Sequence, residues 1–506
     1  MGGFENFLSR QPFMLGWIKF YSLTPPDEQK NICHPSCEYA ASMSSSITTS
    51  LLTDMYELTM VDATLQSGTW NRQVTFELFG RRLPPARRFG VMAGNARIIE
   101  ALERFEFSKD EIDYLSREKI VSDECLDYLK DYRFKGRIRG YAEGECYFES
   151  SPLLQVEGTF AECVLLETLL LSILNHDCAV ASAASRMTIA AHGRPCVDMG
   201  ARRTHERSAV SAARAAYIGG FKGTSCLEAG KRYGIPTIGT AAHSFTLIHD
   251  SEEDAFRAQL ANLGPGTTLL VDTYDVQRAV KRGVKLAREA GGELGCVRLD
   301  SGDLVAEAFK VRALLDSLDA KSTKITVTND LDEYAIAALG AAPVDSYGVG
   351  TKMVTGSGIP TAALVYKLVQ RVNEDGSVHD VAKRSSSKST LGGRKFAGRA
   401  RGEDGYATGE LVVIADSTEQ AQAEFERRNA RALLVDLVTD GQANASFVGK
   451  EALQEAQERH IHSRNELPYQ GWRLSAGEAA IPTEIIDLTK REDEVELPTV
   501  SSDLRS

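Results

Sequence analysis

Regular hydrophobic patterning begins near residue 49. Over 49–66, Leu, Met, Tyr and Val recur at helical spacing, with Thr53 or Asp54 placed to cap the helix. QVTFELFGRRL (73–83) reads as a strand, and 134–158 is β-rich with glycine turns. Residues 160–192, rich in Leu and Ala, return to helical spacing. The pattern then changes, and short apolar runs alternate with amphipathic helices. The runs are PCVDMG (195–200), IPTIGT (235–240), TLLVDT (268–273), CVRLD (296–300), KITVTND (324–330) and DSYGVGT (345–351). The helices include ERSAVSAARAAYIGG (206–220), DVQRAVKRGVKLAREA (275–290) and LVAEAFKVRALLDSL (304–318). Repeated strand–helix units imply an α/β fold with a parallel sheet, closed into a barrel or left open.

Outside these units the signal weakens. Residues 372–402 read as a loop, a solvated basic hairpin, with seven Lys or Arg and no acid between Val381 and Gly402. The last twenty or so residues read as a disordered acidic tail. The first 45 residues lack this patterning, and Met43 is itself a candidate start, so they are read as an extension outside the fold. No apolar run is read as long enough to span a membrane.

At 506 residues the chain is too long for one ordinary domain. Its net charge of −12 argues against nucleic acid as a general partner, and an anionic substrate needs a local basic site. Nine cysteines, none in a CxxC pair, read as reduced and mostly buried thiols of a cytoplasmic protein. Cys33, His34 and Cys37 lack the second ligand pair that a zinc site needs.

The chemistry lies at the strand ends. The six apolar runs lead into DMGARR, GTAAH, DTYD, RLDSGD, TNDLDE and GVGTK, and active sites of βα barrels are built from such ends. In GVGTK, glycines let backbone N–H groups approach a phosphate and Thr351 adds a hydroxyl. RLDSGD combines Arg298, able to hold an anion, with Asp300 and Asp303, which suit ribose hydroxyls, Mg²⁺ or a developing cation. The same aspartates are ordinary helix caps, and both readings stand. In GTAAHSF the small neighbours of His243 leave room around an imidazole. Together these features suit an enzyme acting on a phosphorylated sugar or nucleotide.

Eight motifs in order carry a more specific likeness. TDMYELTM (53–60), FELFGRRLP (76–84), DMGARRTHE (198–206), GGFKGTS (219–225), GTAAHSF (239–245), VRLDSGDL (297–304), TNDLDE (328–333) and GVGTKMVT (348–355) resemble nicotinate phosphoribosyltransferase of the actinobacterial type. The resemblance runs from about residue 46 to about 485. It implies an ATP-coupled transfer of phosphoribose from phosphoribosyl pyrophosphate to nicotinate, giving nicotinate mononucleotide and pyrophosphate with Mg²⁺. It also implies an irregular α/β barrel (181–370) with an α/β sandwich domain built from both chain ends (46–180 and 371–485), and a tail over 486–506. The expected assembly is a homodimer with shared active sites.

By position, the resemblance makes His243 the residue phosphorylated by ATP and Asp300 the catalytic carboxylate, with Asp303 also facing the ribose. Thr240, Arg298 and Arg202 would contact nicotinate, and Tyr56 of the second subunit would stack on its ring. Gly350 and Thr351 would bind the 5′-phosphate, and Lys383 and Lys388 would reach phosphates. Ser225 stands where nicotinamide-using relatives carry an Asp, which accepts from an amide but repels a carboxylate, so the acid is the expected substrate. A nicotinamide phosphoribosyltransferase and a catalytically silent nucleotide-binding homologue are the alternatives.

Overall fold

A computed structural model describes residues 48–382 and 391–489. Lys383, Lys388, the first 45 residues and the chain beyond 489 lie outside the described residues.

The fold is mixed α/β. Five parallel strands run in the order Cys196–Asp198, Ser346–Val349, Lys324–Val327, Cys296–Leu299 and Thr268–Leu270. Single parallel bridges extend the row from Asp198 to Thr224 and from Thr224 to Thr237. Five of the six predicted βα runs are therefore strands. The sixth, 235–240, is reduced to the bridge at Thr237, while GGFKGTS supplies a bridge that its pattern did not announce. Gly223, Pro236 and Gly239 keep both segments short, because glycine weakens strands and proline cannot donate to a ladder. The connecting helices Glu206–Ile218, Val276–Glu289 and Leu304–Ser317 fall where the periodicity puts them.

A seven-stranded antiparallel sheet takes strands from before and after this repeat. Gln73–Gly80, Arg137–Tyr141 and Leu154–Thr159 join Leu364–Val372, Val378–Asp380, Leu434–Thr439 and Gln442–Ala443. A four-stranded sheet holds Ala430–Ala432, Lys395–Arg401, Ala407–Ile414 and Thr483–Asp487. Two expectations are corrected here. Residues 372–402 are not simply a loop, since Val378–Asp380 and Lys395–Arg401 are strands. Their cations disguised the second strand: Lys395 is buried against Glu77, and the fully buried Arg399 pairs with Glu410. The predicted tail begins two residues early, because Ile486 and Asp487 still pair in parallel with Val413 and Ile414.

The helix Glu167–Ala190 joins two cores. Leu169, Leu170 and Leu174 pack with the antiparallel sheet, and Val180, Ala184 and Met187 with the parallel one. The segment Phe160–Ala190 is long and apolar enough to cross a membrane, contrary to the reading of the sequence, but most of it is buried inside the protein. Seven described cysteines are free thiols, five of them buried.

Candidate active site

The C-terminal ends of the parallel strands converge on a cavity of about 360 Å³. Arg202, Ser225, Thr240, His243, Arg298 and Asp300 all line it, so six of the expected site residues meet there. Close packing brings the ends together. A Cβ on Gly348 would lie 2.6 Å from Thr328 Cγ2 and 2.7 Å from Met199 Sδ, so any larger residue at that position would force these side chains to shift.

Arg298 is the hub. Its guanidinium donates from Nε to Thr328 Oγ1 (2.9 Å), from Nη1 to Thr240 Oγ1 (2.9 Å) and to the Ala241 carbonyl (3.3 Å), and from Nη2 to Asp300 Oδ1 (2.9 Å). The Thr328 hydroxyl donates in turn to Asp300 Oδ1. Burial works against the charged form of Asp300, but the Thr328 hydroxyl, Arg298 and His243 outweigh it and hold the carboxyl below its usual range. The Arg298 fork thus fixes the end of its own strand and the GTAAH segment.

His243 opens the short helix His243–Leu247 and is 41% exposed at the side chain. Its Nδ1 lies 3.1 Å from Thr273 Oγ1. Its Nε2 faces Asp272 Oδ1 at 4.0 Å and Asp300 Oδ2 at 3.9 Å. Asp272 is buried and accepts on Oδ2 from Asp300 N (3.0 Å) and Ser301 Oγ (2.6 Å), while its Oδ1 has no hydrogen-bond partner. An imidazole therefore stands before two carboxylates, one of which keeps an uncommitted oxygen.

Asp198 organises the opposite wall. Its buried carboxylate accepts from Gly200 N and from Thr224 Oγ1, both at 2.6 Å, and its carbonyl accepts from Ser225 N at 2.8 Å. Burial pushes the Asp198 carboxyl up, against those hydrogen bonds. The turn that carries Arg202 and the segment that presents Ser225 are held by one side chain.

The other expected residues stand apart from this cavity. Asp303 is exposed and accepts from Ala306 N at 3.1 Å, so it caps Leu304–Ser317, the helix-cap alternative of the sequence reading. Gly350 and Thr351 start the helix Thr351–Val354 next to Met199, which does line the cavity. Tyr56 projects, 43% exposed, from the helix Met55–Ser67. Asp198, Asp272, Thr273 and Thr328 were not singled out by the sequence. All four lie in the quoted strand-end motifs, but their partners come from 26 to 30 residues away. A larger hollow of about 500 Å³ borders the antiparallel sheet around Glu157 and Arg394, which face each other at 2.9 Å, and it shares no residue with these strand ends.

Parallel strands ending in a cleft with a fixed arginine, two carboxylates and an accessible histidine mark the protein as an α/β enzyme. Residues 51–175 match the nicotinate phosphoribosyltransferase N-terminal domain and residues 195–403 the nicotinate phosphoribosyltransferase family. The chain belongs to the nicotinate phosphoribosyltransferase family. It is 51% identical over 444 residues to nicotinate phosphoribosyltransferase pncB1 of Mycobacterium tuberculosis, covering 86% of this chain and 95% of that one. It is 36% identical over 376 residues to the nicotinate phosphoribosyltransferase of Bacillus subtilis, covering 72% of this chain and 76% of that one. The crystal structure of human nicotinic acid phosphoribosyltransferase superposes with a TM-score of 0.70 at 24% identity, over 86% of this chain and 97% of that chain, a likeness of fold.

Proposed function

We propose that this enzyme couples ATP hydrolysis to the transfer of phosphoribose from phosphoribosyl pyrophosphate to nicotinate, releasing nicotinate mononucleotide and pyrophosphate in the cytoplasm. The observation that carries the reading is the placement of His243 Nε2 before Asp272 and Asp300, beside the Arg298 fork. The Thr273 hydroxyl engages Nδ1, which leaves Nε2 as the nitrogen for the γ-phosphoryl group of ATP, with ADP leaving. The phosphorylated histidine then favours a closed site with tightly held substrates, and its hydrolysis favours release. Arg298 and Thr240 fit the nicotinate carboxylate, with Arg202 near the ring. Asp300, kept ionised by Arg298 and Thr328, faces the ribose as positive charge builds and pyrophosphate departs.

The donor set at His243 fits Mg²⁺. Asp272 Oδ1 and Asp300 Oδ2 are hard oxygens, and the described residues hold no cluster of three or more candidate metal ligands. One or two carboxylates with substrate phosphates completing the shell is the usual manner of holding this ion, which neutralises phosphate charge.

In this reading the parallel strands form an irregular barrel, and the antiparallel sheet belongs to a second domain drawn from both chain ends. Two copies associate so that Tyr56 of one serves the cleft of the other. Exposed Met55, Tyr56 and Tyr114 near the start of the chain, and exposed Leu227, Leu247 and Tyr274 near the cleft segments, supply apolar surface for that contact. Gly350, Thr351, Lys383 and Lys388 serve phosphate groups. Ser225 on the cleft wall favours the acid over the amide, against a nicotinamide-using enzyme. The intact His243, Arg298 and Asp300 cluster stands against a silent homologue.

The test incubates the protein with phosphoribosyl pyrophosphate, Mg²⁺ and either nicotinate or nicotinamide, with and without ATP, and quantifies mononucleotide and ADP. Nicotinate mononucleotide accompanied by ADP is expected. His243→Ala is expected to abolish ADP release and acid-labile phosphorylation while leaving slow ATP-independent transfer. Reaction with nicotinamide alone, or none at all, overturns the reading.

A further inference from the structure

The buried Glu57 is not used by the chemistry above, yet it sits one residue from Tyr56. It is fully buried, with both carboxylate oxygens engaged. Oε1 accepts from Thr168 N at 2.9 Å and from the Thr168 hydroxyl, and Oε2 accepts from the Thr53 hydroxyl. These partners belong to two different helix starts. The first N–H groups of a helix lack internal partners, and Leu166, which precedes Glu167–Ala190, has no side chain able to cap them. Asp54, at the N-cap of Met55–Ser67, makes no side-chain cap bond either. One carboxylate from the second helix therefore caps the long core helix and closes the turn that leads into its own.

Tyr56 stands on the outer side of this junction. Its ring is exposed while its neighbour is anchored, and the flanking Met55 is 62% exposed. The Tyr56 hydroxyl also hydrogen-bonds the Glu167 carboxylate at the start of the same core helix, so the direction of the ring depends on how Met55–Ser67 is seated against that helix. The long helix is the rigid reference, since it packs into both cores.

We propose that Glu57 is a positioning residue for Tyr56: by tying Thr53 and the start of Met55–Ser67 to Thr168 on the core helix, it fixes the aromatic ring that the second copy's cleft uses against the substrate pyridine. The proposal rests on the reading of Tyr56 given above. Burial pushes the Glu57 carboxyl up and its hydrogen bonds pull it back, as expected of a desolvated carboxylate kept for its contacts.

The experiment compares Tyr56→Ala, Glu57→Ala, Glu57→Gln, Thr168→Val and the double variant Tyr56→Ala/Glu57→Ala in the full-length dimer. Loss of a positioned stacking contact raises the nicotinate KM about tenfold, while the phosphoribosyl pyrophosphate KM stays within about twofold. Glu57→Ala should show that selective rise, and the double variant should rise no further than Tyr56→Ala. Glu57→Gln keeps one acceptor and should fall between wild type and Glu57→Ala, so it carries the test if the alanine variant does not fold. Thr168→Val removes only the hydroxyl contact and should give a smaller rise. A lowered melting temperature with the nicotinate KM unchanged in the Glu57 variants, or multiplicative effects in the double variant, overturns the proposal. Mixed dimers of a Tyr56→Ala chain with a His243→Ala chain test the underlying reading separately. One cleft of each such dimer regains native nicotinate KM if Tyr56 acts across the interface, and none does if it acts in its own copy. An unchanged nicotinate KM in Tyr56→Ala itself removes the reading and the proposal together.

Discussion

Thr328→Val removes one hydroxyl and almost no volume. That hydroxyl accepts from Arg298 Nε at 2.9 Å and donates to Asp300 Oδ1, with a longer approach to the Leu299 carbonyl at 3.4 Å, so each of its two closest bonds involves a charged partner. The residue is 3% exposed, and no water can readily replace what is lost. Hydrogen bonds to charged groups contribute roughly 1.5 kcal/mol or more each, so the pair amounts to ~3 kcal/mol. Arg298 keeps Thr240, Ala241 and Asp300, and the site stays assembled. If the cost falls on the reacting complex, kcat/KM for nicotinate drops on the order of 100-fold. A second signature is independent of that magnitude. The Thr328 bond is the foremost of the groups that lower the Asp300 carboxyl against burial, so its loss moves that carboxyl up. The acid limb of the pH profile of kcat/KM then shifts to higher pH. The stability that Asp300 contributes above its unfolded range is likewise lost at higher pH as the solution is acidified. Steady-state kinetics over a pH series, with urea unfolding at each pH, reads both. An unmoved acid limb with kcat/KM within about threefold of wild type would refute the role given to this hydroxyl.

Three more outcomes follow from specific contacts. Ser225→Asp puts a carboxylate on the cleft wall, and on the proposed reading the nicotinate KM should rise with little change in that for phosphoribosyl pyrophosphate; equal nicotinate kinetics would place Ser225 away from the ring. Lys395→Met leaves Glu77 buried without its cation, a loss of about 3–5 kcal/mol by denaturant unfolding, and adding Glu77→Gln should recover most of it. His460 is fully buried, bonded to the Gly144 carbonyl and the Ser185 hydroxyl, and burial with Arg464 nearby pushes its pKa down to about 3. The unfolded chain takes up a proton there below about 6.5 while the folded one refuses it, so stability falls with acidification by up to roughly 1.4 kcal/mol per pH unit; His460→Gln should lessen that slope, and an unchanged slope counts against the burial argument.

Much of the fold was legible because burial leaves a period in the sequence. The strands at 196, 268, 296, 324 and 346 are apolar runs between amphipathic helices, and a strand covered on both faces has no other way to appear. The strand Lys395–Arg401 was not legible. Its inward Arg399 and Lys395 look like solvent-facing cations until Glu410 on the adjoining strand and Glu77, 318 residues away, are seen to pair with them. The bridge at Thr224 was hidden for the opposite reason, since a single pairing leaves too little periodic signal, whereas the apolar run 235–240 was legible but forms only the bridge at Thr237.

The candidate site shows the same division. Arg298, Asp300 and His243 are visible because their residue types are chemically loaded and they lie at strand ends. What makes them a site is supplied by residues with little signature of their own. Thr328 is an ordinary threonine until Arg298 Nε and Asp300 Oδ1 are found on either side of it. Asp272 resembles any aspartate after a strand until its Oδ1 is found buried, unpaired and 4.0 Å from His243. An orphaned buried carboxylate oxygen is costly, and at Asp272 it faces the imidazole across the cleft rather than a structural partner. The sequence therefore exposes the chemically loaded groups of the cleft, while their hydrogen-bond partners and directions are set by pairings that only the assembled parallel sheet creates. Variants of Thr328 should accordingly alter the pH dependence of the reaction, and variants of Asp272 its coupling to ATP, more than its choice of substrate, and variants of Ser225 the reverse.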